Sequence, residues 1–101
     1  MVRYLVLYDP PVDPVAFDRH YREVHVPLAR QLPGLRRYVI SRDSKPVRGE
    51  QPPYLVAELD WDDMAALSRA FASPEGRAAA ADVPTFATGG VTSLTYEVEE
   101  L

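Results

Sequence analysis

His25 is the sharpest chemical feature of this 101-residue chain. It follows Tyr21 by one helical turn and Phe17 by two, so the spacing puts its imidazole on the apolar stripe of a helix. Two residues later Pro27 has no N–H to give, and its ring crowds the carbonyl of Glu23. That predicts a kink and a freed backbone polar group beside the imidazole. A ring titrating near neutrality can exchange a proton with a bound molecule. The structural alternative is a buried histidine tied to a neighbouring backbone group or hydroxyl. Tyr21, Trp61 and Phe86 are the candidate ligand-binding companions, inward aromatics that either wall a cavity or simply fill a core. Phe86 stands in a Pro-Thr-Phe-Ala-Thr-Gly-Gly run with no evident strand partner, where it could cap a pocket or reach a second subunit.

Other chemistries lack their residues. There is no cysteine, which excludes disulfides, thiolate metal sites and cysteine nucleophiles. His20, the other histidine, falls off the stripe and reads as a surface or rim residue. The two rings are five residues apart, which does not align them on one α-helical face as an i, i+4 spacing does. No dedicated metal site is expected, with Asp9, Glu58 and Asp60 left open as carboxylate partners, and no tightly bound cofactor is expected either. No glycine-rich phosphate loop occurs, and Ser41, Ser68, Ser73 and Ser93 lack the flanking glycines of a nucleophile elbow. Arg36 and Arg37 begin a strand, so they point to opposite faces and make no basic patch. A net charge of −4 argues against nucleic acid or an acidic membrane surface as partner. No run approaches the roughly 20 apolar residues that span a bilayer. The N-terminal MVRYLVLYDPP reads as a strand rather than a signal peptide, so a cytoplasmic address is expected.

The elements that must position these residues can be read in order. Residues 2–8 form an apolar strand suited to the middle of a sheet. Asp13-Pro14 is a strong helix start, a capping oxygen followed by proline in the first turn. Phe17, Tyr21, Val24, His25, Leu28 and Leu32 then mark one helix face, and Pro33-Gly34 ends it. Residues 35–42 predict a second strand, with Tyr38 and Ile40 on one side and Arg37, Val39 and Ser41 on the other. A polar, proline-rich loop over 43–53 leads to a third strand, 54–61, whose Leu55, Ala57, Leu59 and Trp61 share a face. Asp62 is the expected cap of a helix through Met64, Leu67 and Phe71. Ser73-Pro74 restarts a helical piece through Ala78 to Ala81, and Gly89-Gly90 precede a last strand over 91–98. The order β-α-β-β-α-β predicts one α+β, ferredoxin-like domain over residues 1–101, a four-stranded antiparallel sheet with helices on one face. The bare face, assigned Val39, Val56 and Val91, carries too much apolar surface for water and predicts a homodimer burying about 1,200–2,000 Å².

Several of these segments, in this order, resemble the EthD family: FDRHYREVHVPLARQLPGLRRYV (Phe17 to Val39), with its H-x-P element and Pro-Gly-Leu turn, the opening YLVLYDPPVDPVAFD, the central PPYLVAELDWDDMAAL and the late ASPEGRAAAADVPTFATGGVTSL. The resemblance covers nearly the whole chain. It implies pairing of two ferredoxin-like sheets into a dimeric α+β barrel with helices outside, and a ligand cavity between sheet and helices. The family takes its name from a protein required in bacterial fuel-ether degradation. The wider group holds lactone isomerases, polyketide cyclases, cofactor-free monooxygenases and haem-handling proteins, so the fold leaves the reaction open. Tyr21, Trp61 and Phe86 would bind a small apolar or aromatic molecule, and His25 would catalyse cofactor-independent isomerisation, cyclisation or decarboxylation. The alternatives are a non-catalytic binding or accessory protein of a degradation pathway, and a haem-handling or cofactor-free monooxygenase.

Overall fold

The computed structural model describes residues 1–101. Strand β1 (Val2–Tyr8) is followed by helix α1 (Pro14–His20), a π turn (Tyr21–His25) and α2 (Val26–Arg30), which run on as one helical rod. Then come β2 (Arg37–Ile40), β3 (Leu55–Trp61), α3 (Met64–Ala72), α4 (Pro74–Phe86) and β4 (Val91–Glu97). The four strands form one sheet in the order β2-β3-β1-β4, every neighbouring pair antiparallel. This is the ferredoxin-like α+β fold that the element order predicts. The molecule measures 35 × 34 × 17 Å, and the short dimension is that of one sheet and one helical layer.

Local chemistry sets the helix starts. Asp13 Oδ1 accepts the Ala16 N–H at 3.1 Å ahead of Pro14, as the sequence predicts. Ser73 likewise caps α4 through Gly76. The cap of α3 is Asp63 rather than Asp62: Asp63 Oδ1 takes the Ala66 N–H at 2.8 Å, while Asp62 turns outward to pair with Arg36. Gly76 is required where α4 leaves α3, because a Cβ there would stand 2.2 Å from the carbonyl oxygen of Ala70. Helix α4 is longer than the sequence suggests and runs through Pro84, so Phe86 lies in its last turn rather than in a loop.

Proline at 27 is accommodated by a π turn. The Val26 N–H bonds back to Tyr21, five residues away. The wider register absorbs the missing donor without a sharp break, and such turns recur at functional sites. It also re-phases the helix. Tyr21, His25, Ala29 and Leu32 are buried, whereas Val24, expected on the inner face, is exposed.

Strand alternation and register sort the sheet into two faces. Val2, Tyr4, Val6 and Tyr8 of β1 lie beside Trp61, Leu59, Ala57 and Leu55 of β3 under the helices. The opposite face holds Leu5, Leu7, Val39, Val56, Leu94 and Tyr96, with Arg3, Arg37, Glu58 and Asp60 set among them. Val91, expected there, pairs with Tyr8 and therefore belongs to the helix side.

Candidate functional site

The π turn, α4 and the helix side of the sheet enclose a cavity of about 210 Å³. Its walls include Tyr4, Tyr8, Tyr21, His25, Tyr38 and Val83, and it reaches the surface past Val91 and Ser93 on β4. Of its lining residues only His25 and Ser93 are not hydrophobic, and none is charged. Apolar walls with a few polar atoms are the usual make-up of a small-molecule site.

His25 reaches this wall because the π turn holds it in register with Tyr21, whose ring lies 5.2 Å away. The imidazole is buried, at 7% exposure. Its Nδ1 is 3.0 Å from Asp82 Oδ2 on α4. Burial pushes the His25 pKa below its ordinary 6.5, and the Asp82 carboxylate opposes that push without cancelling it. A neutral ring facing a carboxylate must donate through the nitrogen that faces it, because a carboxylate only accepts. Nδ1 therefore carries the proton and Nε2 presents its lone pair.

Asp82 is shared. Its Oδ1 lies 2.8 Å from His20 Nε2, and the Thr85 hydroxyl is a further neighbour at 3.2 Å. Burial alone would raise the carboxyl, but hydrogen bonds from His20, His25 and Thr85 hold it below the usual carboxylate range, so it stays ionised. One carboxylate thus clamps both histidines across the helix interface. The spacing of five that separates the two rings on a regular α-helix is narrowed by the π turn that follows His20. His20 is a half-buried member of this cluster, stacked on Phe86, rather than a free surface residue.

Tyr21 and Tyr38 form the second polar element. Their hydroxyl oxygens are 2.6 Å apart. Burial raises both pKa values above the ordinary 10, so both hydroxyls keep their protons at neutral pH.

Of the four site residues that the sequence proposes, Tyr21 and His25 come together on the cavity wall. Trp61 does not reach it. Its indole is fully buried at the end of β3, donating Nε1–H to the Pro33 carbonyl at 2.9 Å and packing on Phe71. Phe86 is also set back from the cavity, as the hub of a core cluster with Tyr8, Phe17, Tyr21 and both histidines. Its other edge meets a shallow recess beside His20 and Thr88. Asp82 and Tyr38 are the site residues that sequence reasoning missed. Tyr38 had a visible signal, its alternation with Ile40 toward the helices. Asp82 had none beyond being an acid among alanines.

The sheet order and the single helical layer define the class, a ferredoxin-like α+β protein with an apolar cavity between its layers. The match to the EthD domain over residues 9–90 places it more narrowly: the chain belongs to the EthD family. It is 42% identical over 99 residues to an uncharacterized 11.0 kDa protein of the thcB–thcC intergenic region of Rhodococcus erythropolis, covering 98% of this chain and 96% of that one. The crystal structure of an ethyl tert-butyl ether D (EthD) family protein from Bacillus halodurans superposes with a TM-score of 0.90 at 37% identity, covering 98% of this chain and 99% of that one. The fold alone is shared with SnoaB, a cofactor-independent oxygenase from Streptomyces nogalater, at a TM-score of 0.67 and 18% identity, with 99% and 94% covered. A dimeric ferredoxin-like protein from Thermobifida fusca shares it at 0.71 and 15%, with 96% and 90% covered.

Proposed function

We propose that this chain binds a small uncharged apolar or aromatic molecule in the cavity, and that His25 serves it as a general base and acid. The carrying observation is the His25–Asp82 pair on an otherwise apolar wall, with Nδ1 held by the carboxylate at 3.0 Å. Asp82 fixes the tautomer and supports the imidazolium once His25 has taken a proton. The absence of any charged lining residue favours an uncharged ligand, because an ion brought here would lose its hydration without a partner. The working unit is a homodimer. Its support is the bare sheet face carrying Leu5, Leu7, Val39, Val56, Leu94 and Tyr96, together with the dimeric ferredoxin-like neighbour.

A carrier or accessory role is the second reading. It is favoured by the presence of a single acid–base imidazole on the cavity wall. The test of the primary reading uses phenol and benzoate, which share a ring and differ in charge. Phenol is expected to shift the NMR signals of Tyr21, His25 and Val83 saturably, and benzoate to leave them unmoved. His25→Asn should keep the affinity for phenol and lose turnover of a small uncharged carbon-acid substrate by about 10²–10⁴-fold. Binding without turnover in either protein would establish the carrier, and equal affinity for benzoate would refute the uncharged site.

A further inference from the structure

The Tyr21 and Tyr38 hydroxyls supply two O–H hydrogens, and the 2.6 Å bond between them uses one. Neither hydroxyl has another protein partner, and both rings line the cavity. Whichever oxygen accepts, one O–H is left to donate, and it is the more polarised because its oxygen already accepts a hydrogen bond. This spare donor lines the same cavity as the imidazole of His25. A base and a neutral hydrogen-bond donor set around an apolar space are the two parts needed to remove a proton from carbon next to a carbonyl.

We propose that the Tyr21–Tyr38 pair is an oxyanion site and that the substrate is an uncharged, enolisable ketone of about one ring in size. The proposal rests on the acid–base reading of His25 and extends it. A cavity of about 210 Å³ is somewhat larger than the roughly 150 Å³ that holds benzene. The size therefore suits one ring with a few substituent atoms. In the forward step His25 Nε2 takes the proton from the α-carbon. The C–H electron pair becomes a C=C bond, the carbonyl π pair moves onto oxygen, and that oxygen accepts the spare tyrosine O–H. The imidazolium, held by Asp82, then returns the proton to the α-carbon, which is exchange, or, in a β,γ-unsaturated ketone, to the γ-carbon of the dienolate, and the C=O bond re-forms with the C=C bond moved into conjugation. The sequence is an isomerisation, redox-neutral and without a co-reactant. Tyr38 is assigned the contact with the substrate oxygen and Tyr21 the positioning role, because Tyr21 is the more deeply buried of the two.

The experiment follows exchange of α-hydrogens of cyclohexanone for deuterium in D₂O by proton NMR. Saturable exchange is expected with the wild-type protein. Tyr38→Phe should slow it by about 10²–10³-fold, the usual effect of removing one oxyanion donor, while binding of cyclohexane is unchanged. Tyr21→Phe serves as the second variant, should Tyr38→Phe fail to fold. Its additional readout is the infrared C=O stretch of bound cyclohexanone, which the spare O–H is expected to lower in frequency in the wild-type protein and to lower less in Tyr21→Phe. Exchange that survives Tyr38→Phe but is lost in His25→Asn would overturn the oxyanion site and leave the acid–base reading standing. Binding of cyclohexanone with no exchange would overturn the ketone assignment, and failure of both cyclohexanone and phenol to bind would overturn the two readings together.

Discussion

The helix side and the bare side of the sheet handle polar groups in opposite ways. On the bare side Asp60, only 2% exposed, receives Arg3 Nε at 2.8 Å and Arg3 Nη2 at 3.2 Å, and Arg37 Nη1 at 3.3 Å. Glu58 adds a contact to Arg3 at 3.1 Å. Both Asp60 oxygens are occupied, and the arginines hold its carboxyl below its ordinary range. On the helix side the cavity-lining groups carry no charge, and several retain capacity, among them Nε2 of His25 and one O–H of the tyrosine pair. Charge density is greater on the bare side, yet it is the helix side that leaves hydrogen-bonding capacity unspent. The ion cluster satisfies its own charges; the cavity keeps donors and acceptors free.

The largest effect that would sharpen this contrast is Asp60→Ala. Removing the shared carboxylate leaves Arg3 and Arg37 with Glu58 alone as an acidic neighbour, at 3.1 and 3.8 Å. Breaking a buried pair costs roughly 3–5 kcal/mol, and the low end, about 3 kcal/mol, applies because both arginines keep access to water. Urea denaturation should show that loss while phenol affinity stays at the wild-type value. A parallel loss of phenol affinity would mean that the two faces are not independent.

Trp61→Phe probes the helix side away from the cavity, and its effect is smaller. The substitution removes the Nε1–H bond to the Pro33 carbonyl. Trp61 is fully buried, so the void left by the smaller ring adds to the lost bond and the cost is about 2 kcal/mol. In a domain of this size that is a fall in melting temperature of about 8–16 °C. Affinity for phenol should not change. A selective loss of affinity would return Trp61 to the ligand site, where the sequence puts it.

That case shows what a linear pattern conveys. Alternation of Leu55, Ala57, Leu59 and Trp61 correctly gives the face, but not the position along the strand, and Trp61 lies at the end of β3 beyond the cavity. Tyr21 and His25 were legible because their partners on the helix wheel are local. Asp82 was not, because its two imidazoles lie 62 and 57 residues away and only the packing of α4 on the π turn brings them in. Val91 was misplaced for a related reason. Residues 91–98 are apolar at both parities (Val91, Leu94, Tyr96, Val98), so the face is decided by pairing with Tyr8 and not by the strand's own pattern. The family resemblance supplied the architecture, whereas the clamp on His25 had to be seen in three dimensions.

The smallest effect separates the two faces by acidity. The folded-state pKa of His25 lies below 6.5, chiefly because burial disfavours the imidazolium. Between that lowered value and 6.5 the unfolded chain binds more protons at this position than the folded one, so stability must fall as pH drops through this interval. Above 6.5 both states are neutral here and the dependence from His25 vanishes. Asp60 and Asp82 act in a lower window. Their carboxyls are held below 3.8 in the folded protein, so their contribution is complete above that value and is lost on further acidification. His25→Asn should therefore flatten the decline that begins below pH 6.5 while leaving the loss below 3.8 in place. Because His20 shares Asp82 with His25, both curves are collected in a His20→Asn background, where the difference between them isolates His25. Urea midpoints collected across this range provide the measurement. If the variant keeps the wild-type slope near pH 6, the imidazole is not held neutral, and the lone pair that the cavity chemistry requires would be absent at that pH.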